Sequence, residues 1–266
     1  MRKHPAFRFF LPLLLLVSTG RAGELPPVVL ILAGQSNMVG QGRRGDLAAS
    51  RRELPPGMEL IVSGRPLENA LGESFGPELA LAHELAAAHP GRRFRLLKFA
   101  IGTTSIRAWA PNWSAEAAAV VGNEAVGALY PRMLDFLRNH LGPDLPPPHA
   151  ILWFQGERDA RFAVAAADYG PWLDDFIGRL RRDLAAPEAW FILGVVNPPY
   201  PDAPVVAAAQ RDTPRRVART KVVSSENLTK RNDSLHYDTA GQWELGLRFA
   251  RELLPTLTDD QPGRVK

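Results

Sequence analysis

Val28-Val29-Leu30-Ile31-Leu32-Ala33 is an unbroken apolar run with no polar alternation. A strand with one face in water alternates, whereas a strand covered on both faces does not, so this run reads as a doubly buried strand. Similar runs recur at 94–101, 150–154, 190–196 and 221–224. Segments of helical spacing separate them, at 76–88, 129–141, 169–184 and 242–254. In the second, Leu129, Met133, Phe136, Leu137 and Leu141 repeat at helical intervals. Strands that alternate with helices of this length form parallel βαβ units. The pattern therefore predicts an α/β chain, a three-layer α/β/α sandwich around a central parallel sheet of about five strands. No internal repeat is present, and Pro146-Pro147-Pro148 is too short to link two domains. Residues 41–70, rich in Arg, Gly and Pro without strong periodicity, read as a long surface excursion beside the first strand.

Charge enters the argument next. Thirty-two Lys and Arg against 28 Asp and Glu give a formal charge of +4 and a sequence pI near 9.7. Such a balance invites a nucleic-acid or membrane-surface partner. The excess, however, sits at the start of the chain. Arg2, Lys3 and Arg8 precede a short apolar run at 9–17, and residues 18–22 end in small side chains, the order of a secretory signal peptide. A membrane-spanning helix needs about 20 apolar residues, more than this run supplies. We expect residues 1–22 to be removed, with the cut after Ala22, leaving a single domain over 23–266 that is secreted or periplasmic. The Ala-, Arg-, Leu- and Pro-rich composition suggests a bacterial source. Removing Arg2, Lys3, Arg8 and Arg21 leaves 28 basic residues against 28 acidic ones. A formally neutral chain gives no global reason to bind nucleic acid or to associate stably with a membrane.

Zero Cys excludes a thiol nucleophile and a disulfide framework. With no H-E-x-x-H and no cysteine metal pattern, neither a metal nor another cofactor is expected. The G-x-G-x-x-G spelled by residues 40–45 lies well past its strand and lacks an acid about 20 residues on, which argues against a dinucleotide site.

In an open parallel sheet, ligands bind outside the carboxyl ends of the strands. The residues there are Gly34-Gln35-Ser36-Asn37-Met38, Gly102-Thr103-Thr104-Ser105 and Gln155-Gly156-Glu157-Arg158-Asp159, with Asn232-Asp233-Ser234-Leu235-His236 a little beyond the fifth run. A serine hydroxyl is a poor nucleophile without a base, and the base needs an orienting acid. Of six histidines, His236 alone lies in a polar loop between a strand and a helix. Asp233, three residues earlier, is spaced to turn back onto its ring. Ser36, His236 and Asp233 are thus candidate nucleophile, base and orienter.

These blocks, in this order, resemble those of the SGNH-type hydrolases. More narrowly they resemble the sialate O-acetylesterase-like domain and carbohydrate esterase family 6, as do Phe75-Gly76-Pro77-Glu78 and Ile101-Gly102-Thr103-Thr104-Ser105-Ile106 with Trp109. The resemblance covers nearly all of the chain after residue 22 and implies a flavodoxin-like fold and carbohydrate O-acetylesterase activity on acetylated xylan, sialic acid or a similar glycan. It also implies an oxyanion hole from the Ser36 and Gly102 N–H groups and the Gln155 amide. Glu157 is a supporting acid and the rival of Asp233 as partner of His236. Gln35, Asn37, Thr103, Arg107 and Trp109 are candidate substrate contacts, Trp109 with Trp113 as a stacking wall for a sugar ring. Two alternatives remain: a short-chain carboxylesterase acting on non-sugar esters, and a sugar-binding protein without turnover.

Overall fold

The computed structural model describes residues 25–63 and 72–257. The segment read as a signal, 1–22, and residues 64–70 of the surface excursion lie outside them.

Six parallel strands form the central sheet: β1 (Val28–Gly34), β3 (Met58–Val62), β5 (Phe94–Ala100), β6 (Ala150–Phe154), β7 (Trp190–Val195) and β8 (Thr220–Ser224). Their lateral order is β3-β5-β1-β6-β7-β8. The five strands expected from the apolar runs stand, among themselves, in the order second-first-third-fourth-fifth, the flavodoxin-like arrangement. The sixth, β3, adds itself outside β5 from within the segment read as a surface excursion. Two short strands, β2 (Gly42–Arg43) and β4 (Ser74–Phe75), pair as an antiparallel ribbon.

Helices cover both faces, which is why the central strands carry no polar alternation. On one side α2 (Glu78–Ala88) packs against α7 (Thr239–Leu253). On the other, α5 (Ala163–Asp183) packs against α6 (Ala203–Arg216). Rings join α4 (Leu129–Leu141) to that second side: Phe136 lies 5.9 Å from Phe99 of β5, and Tyr130 lies 6.1 Å from Phe176 of α5. The first face carries a buried charge pair, Lys98 Nζ of β5 at 2.7 Å from Glu78 Oε2 at the start of α2. Lys98 also donates to the Val39 carbonyl at 2.8 Å, at the end of α1 (Ser36–Val39). A strand, a helix start and the short helix beginning with Ser36 are thereby tied together.

Glycine at position 34 is dictated by close packing. A Cβ there would stand 2.0 Å from the Phe154 carbonyl oxygen of β6, and its φ of 147° is one that L side chains rarely adopt. Gly40 serves a similar end, because its Cβ would meet the Gly76 nitrogen at 2.3 Å. The first glycine of the apparent dinucleotide motif therefore lets the β2 and β4 ribbon approach α1, and no nucleotide-binding helix follows it.

Candidate active site

The winding of the strand order reverses at β1, whose neighbours β5 and β6 lead to opposite edges, and the crevice above that reversal is where a ligand fits. Gln35 N–H donates to the Phe154 carbonyl and Ile101 N–H to the Gly34 carbonyl, so the chain leaves the sheet only at Ser36. Ser36 opens α1, a single turn. Opposite it, Asp238 caps α7 by accepting from Gly241 N–H at 2.8 Å, which fixes the end of the loop carrying His236.

Across that crevice Ser36 Oγ lies 3.0 Å from His236 Nε2. His236 Nδ1 lies 2.7 Å from Asp233 Oδ2. With the Nδ1 proton donated to the carboxylate, Nε2 is left to accept from the serine hydroxyl. The other carboxylate oxygen accepts the Leu235 and His236 N–H groups, each at 2.9 Å. Burial works to raise the Asp233 pKa, but the bonds from His236 and Leu235 outweigh it and hold the carboxyl down to about 2. Asp233 is the aspartate of the pair of rival acids that reaches His236.

Glu157 sits elsewhere. Its Oε1 accepts from Asn37 Nδ2 at 2.8 Å, while Oε2 is buried without a partner. Burial pushes this carboxyl up to about 7, against the pull of the Asn37 hydrogen bond. Asn37, expected as a substrate contact, is 1% exposed and bridges two loops instead. Its Nδ2 also reaches the Leu235 carbonyl at 3.3 Å, and its Oδ1 accepts Tyr237 N–H at 3.0 Å. The residue after the serine thus grips the chain on both sides of His236.

The Ser36 and Gly102 N–H groups donate to no described residue, and a Cβ on Gly102 would stand 3.6 Å from that of Ser36. Both N–H groups are thus left without a partner beside the serine. Gln155 does not join them. It is fully buried, and its Nε2 donates to the Thr104 carbonyl at 2.7 Å and to Asp159 Oδ2 at 2.6 Å. An NH₂ group has two hydrogens, so none is left for a substrate. Asp159 is the anchor of this network, because it also accepts from Ser105 Oγ and Ile106 N–H. Burial raises its carboxyl to about 6, against those same bonds.

Two further expectations are corrected by burial. Trp109 has no exposed surface: the short turn Ile106–Trp109 drives it into the core, edge-on to Trp153 at 5.1 Å and to Phe99 at 5.7 Å. Its Nε1 donates to Thr104 Oγ1, so no sugar can stack there. Arg107 points to α5, where it meets Asp168 at 3.0 Å and lies over the Trp172 ring. Trp113, half-buried, takes no part in the site either.

A cavity of about 100 Å³ opens at Ser36 and His236, lined also by Gln35, Thr103 and Glu157. Thr103 holds a left-handed φ of 62°, unfavourable for a β-branched residue. Asn123 enforces it, donating to the Thr103 carbonyl at 3.0 Å and accepting Ser105 N–H at 2.6 Å. Leu235, Arg158, Arg161 and Tyr200 complete the wall, none with a role legible in the sequence. Arg161 is exposed, lies over the Tyr200 ring at 5.2 Å, and has no acidic partner among the described residues. Only their place after β6, β7 and β8 signalled them.

Comparison with known proteins agrees with this architecture. The family model SASA, described as carbohydrate esterase, sialic acid-specific acetylesterase, matches residues 27–255. A probable carbohydrate esterase of Arabidopsis thaliana is 26% identical over 261 residues, covering 86% of this chain and 91% of that protein. A crystal structure of an Arabidopsis thaliana protein superposes with a TM-score of 0.72 at 23% identity, covering 87% of this chain and 99% of that one. A carbohydrate acetylesterase from Xanthomonas citri gives a TM-score of 0.66 at 17% identity, covering 88% of this chain and 57% of that one.

Proposed function

The chain belongs to the SASA family of carbohydrate esterases, and from that membership we propose a secreted serine esterase that removes O-acetyl groups from carbohydrate through Ser36, His236 and Asp233. As a family member it is a carboxylic ester hydrolase of the carbohydrate acetylesterase class. The observation that carries the mechanism is the unbroken relay of 3.0 Å from Ser36 Oγ to His236 Nε2 and 2.7 Å from Nδ1 to Asp233.

His236 takes the Ser36 proton as the oxygen attacks the acetyl carbonyl, and Asp233 holds the ring in the required tautomer. The Ser36 and Gly102 N–H groups receive the developing oxyanion. His236 then protonates the departing sugar hydroxyl, and a water activated by the same ring releases acetate and restores the serine. Ligand sites for drug-sized molecules occupy roughly 300–1,000 Å³, so a cavity of about 100 Å³ accepts a short acyl group and leaves the sugar at the mouth. Among sugars we favour an acidic one such as sialic acid over neutral xylan, because Arg161 offers an unpaired guanidinium there. Export rests on the sequence of residues 1–22.

Purified enzyme should hydrolyse p-nitrophenyl acetate, and Ser36→Ala should abolish that activity. Equal turnover by the two proteins would refute the mechanism. Acetate release from O-acetylated sialic acid, acetylated xylan and simple esters then ranks the substrates, with preference for xylan excluding the acidic-sugar reading. N-terminal sequencing of the protein from a producing host should begin at Gly23. A sequence beginning at Met1 would exclude cleavage.

A further inference from the structure

With Gln155 turned inward, the crevice has two backbone donors and room for a third. We propose that Gln35, the residue before the serine, supplies it, so that its side-chain amide is a catalytic hydrogen-bond donor to the acyl oxyanion. The inference rests on the serine esterase reading above and deepens it.

The orientation of the Gln35 amide is fixed by what surrounds it. Arg158 N–H can only donate, and it points at Gln35 Oε1 from 3.3 Å. Gln155 Nε2 approaches the same oxygen at 3.4 Å. A backbone N–H on that side requires the carbonyl end there, which turns Nε2 to the other side. That nitrogen makes no hydrogen bond among the described residues, although Gln35 is only 3% exposed. A buried amide without a partner is uncommon, because it forfeits the bonds it would make to water. Gln35 Nε2 is not one of the fully enclosed unpartnered atoms, so the little surface it keeps is at the cavity that Gln35 lines with Ser36, Thr103 and His236.

No other side-chain amide at the crevice is available for the task. Asn37 is engaged by Glu157 and the carbonyl of Leu235, and Gln155 by Thr104 and Asp159. Arg158 directs Nε and one terminal nitrogen to the Val121 carbonyl. The role of Gln155 is then one step removed. Anchored by the Thr104 carbonyl and the Asp159 carboxylate, it stands 3.4 Å from the Gln35 carbonyl oxygen and limits where that end of the amide can go. A donor placed beforehand where charge develops needs no reorganisation during the reaction, and that accounts for its rate effect.

The test is kinetic, with p-nitrophenyl acetate and two variants. Gln35→Glu keeps an oxygen for Arg158 N–H and turns the donor into an acceptor, whereas Gln35→Ala removes the amide entirely. Both should lower kcat by about 10²–10³-fold, with KM within about threefold. Phenylboronic acid, which forms a tetrahedral anionic adduct on the serine, should bind more weakly to both variants by a similar factor. A merely structural residue would not weaken that adduct selectively. Retention of kcat within threefold in Gln35→Ala, or unchanged boronate affinity alongside a lost kcat, overturns the proposal. Ser36→Ala separates the two levels. Loss of activity in Ser36→Ala with retention in Gln35→Ala sinks the third donor alone, whereas activity in Ser36→Ala sinks the serine mechanism itself.

Discussion

Replacing Glu157 by Gln should make the protein's stability less sensitive to pH, and the size of the effect follows from one buried carboxyl. Glu157 is 3% exposed, accepts a single hydrogen bond through Oε1, and leaves Oε2 buried without a partner. Its pKa rises from the ordinary 4.5 to about 7, through burial first, with the charge of Asp159 adding to it and that of Lys230 opposing. The folded state therefore holds this proton up to about pH 7, while the unfolded chain releases it near 4.5. Stability from this group is fully present below pH 4.5 and is lost as the pH rises through 7. At 1.36 kcal/mol for each pH unit, that interval is worth about 3 kcal/mol. The substituted amide cannot titrate, yet its carbonyl still accepts from Asn37. Its NH₂ group sits where Oε2 had no partner, a pH-independent cost of about 1–3 kcal/mol. Urea unfolding of parent and variant at pH 4.5 and pH 8 separates the two contributions. The difference between them should move by about 3 kcal/mol in favour of the variant over that range. A difference that stays constant would show that Glu157 is already ionised when folded, and the argument from burial would fail.

The neighbouring network yields further expectations. Lys98→Met removes one half of a buried ion pair and strands Glu78, so chemical denaturation should show a loss of about 3–5 kcal/mol. Gln155→Ala should destabilise the fold by about 1–3 kcal/mol, because it leaves the Thr104 carbonyl without its Gln155 donor and takes one of three donors from Asp159; an unchanged melting temperature would contradict its place in the interior. Trp109→Ala opens a cavity among Phe99, Trp153 and Phe176 and should cost about 3–5 kcal/mol in the same measurement. Asn37→Ala unlinks the serine turn from the loop of His236 and should lower kcat far more than KM in ester hydrolysis.

The parts of the molecule legible in the sequence are those whose signal is local. Four strands announced themselves as apolar runs because each is covered on both faces, while β8, at the far edge and only partly covered, stood out through Val222 and Val223. By contrast, β3 lies at the sheet edge with Met58, Glu59 and Val62 only partly covered, behind Pro55-Pro56-Gly57, so neither a run nor an alternation stood out. The helix α6 was hidden by its prolines. Pro204 occupies its first turn, where no N–H is needed, and Pro214 lies inside the last turn, where it removes one helical bond. Likewise α5 begins at Ala163, ahead of the expected 169, and carries Pro171 within it.

Among the site residues the same division holds. Asp233 and His236 are three positions apart, and the turn between them closes through hydrogen bonds of Asp233 to Leu235 and His236. Four residues of sequence therefore contain nearly all the information needed to place that pair. Gln155 is the opposite case. Whether its amide faces the crevice or the interior depends on Asp159, and Asp159 is drawn inward by Ser105 and Ile106, more than fifty positions away. A side chain placed by a partner that is itself placed by distant backbone has no signature in its own neighbourhood. Gln35 and Gln155 are both glutamines just past a strand, and sequence alone gives no reason to prefer one as the donor. The preference arises from a single backbone N–H, that of Arg158, which turns the Gln35 carbonyl inward and leaves its nitrogen facing the serine cavity.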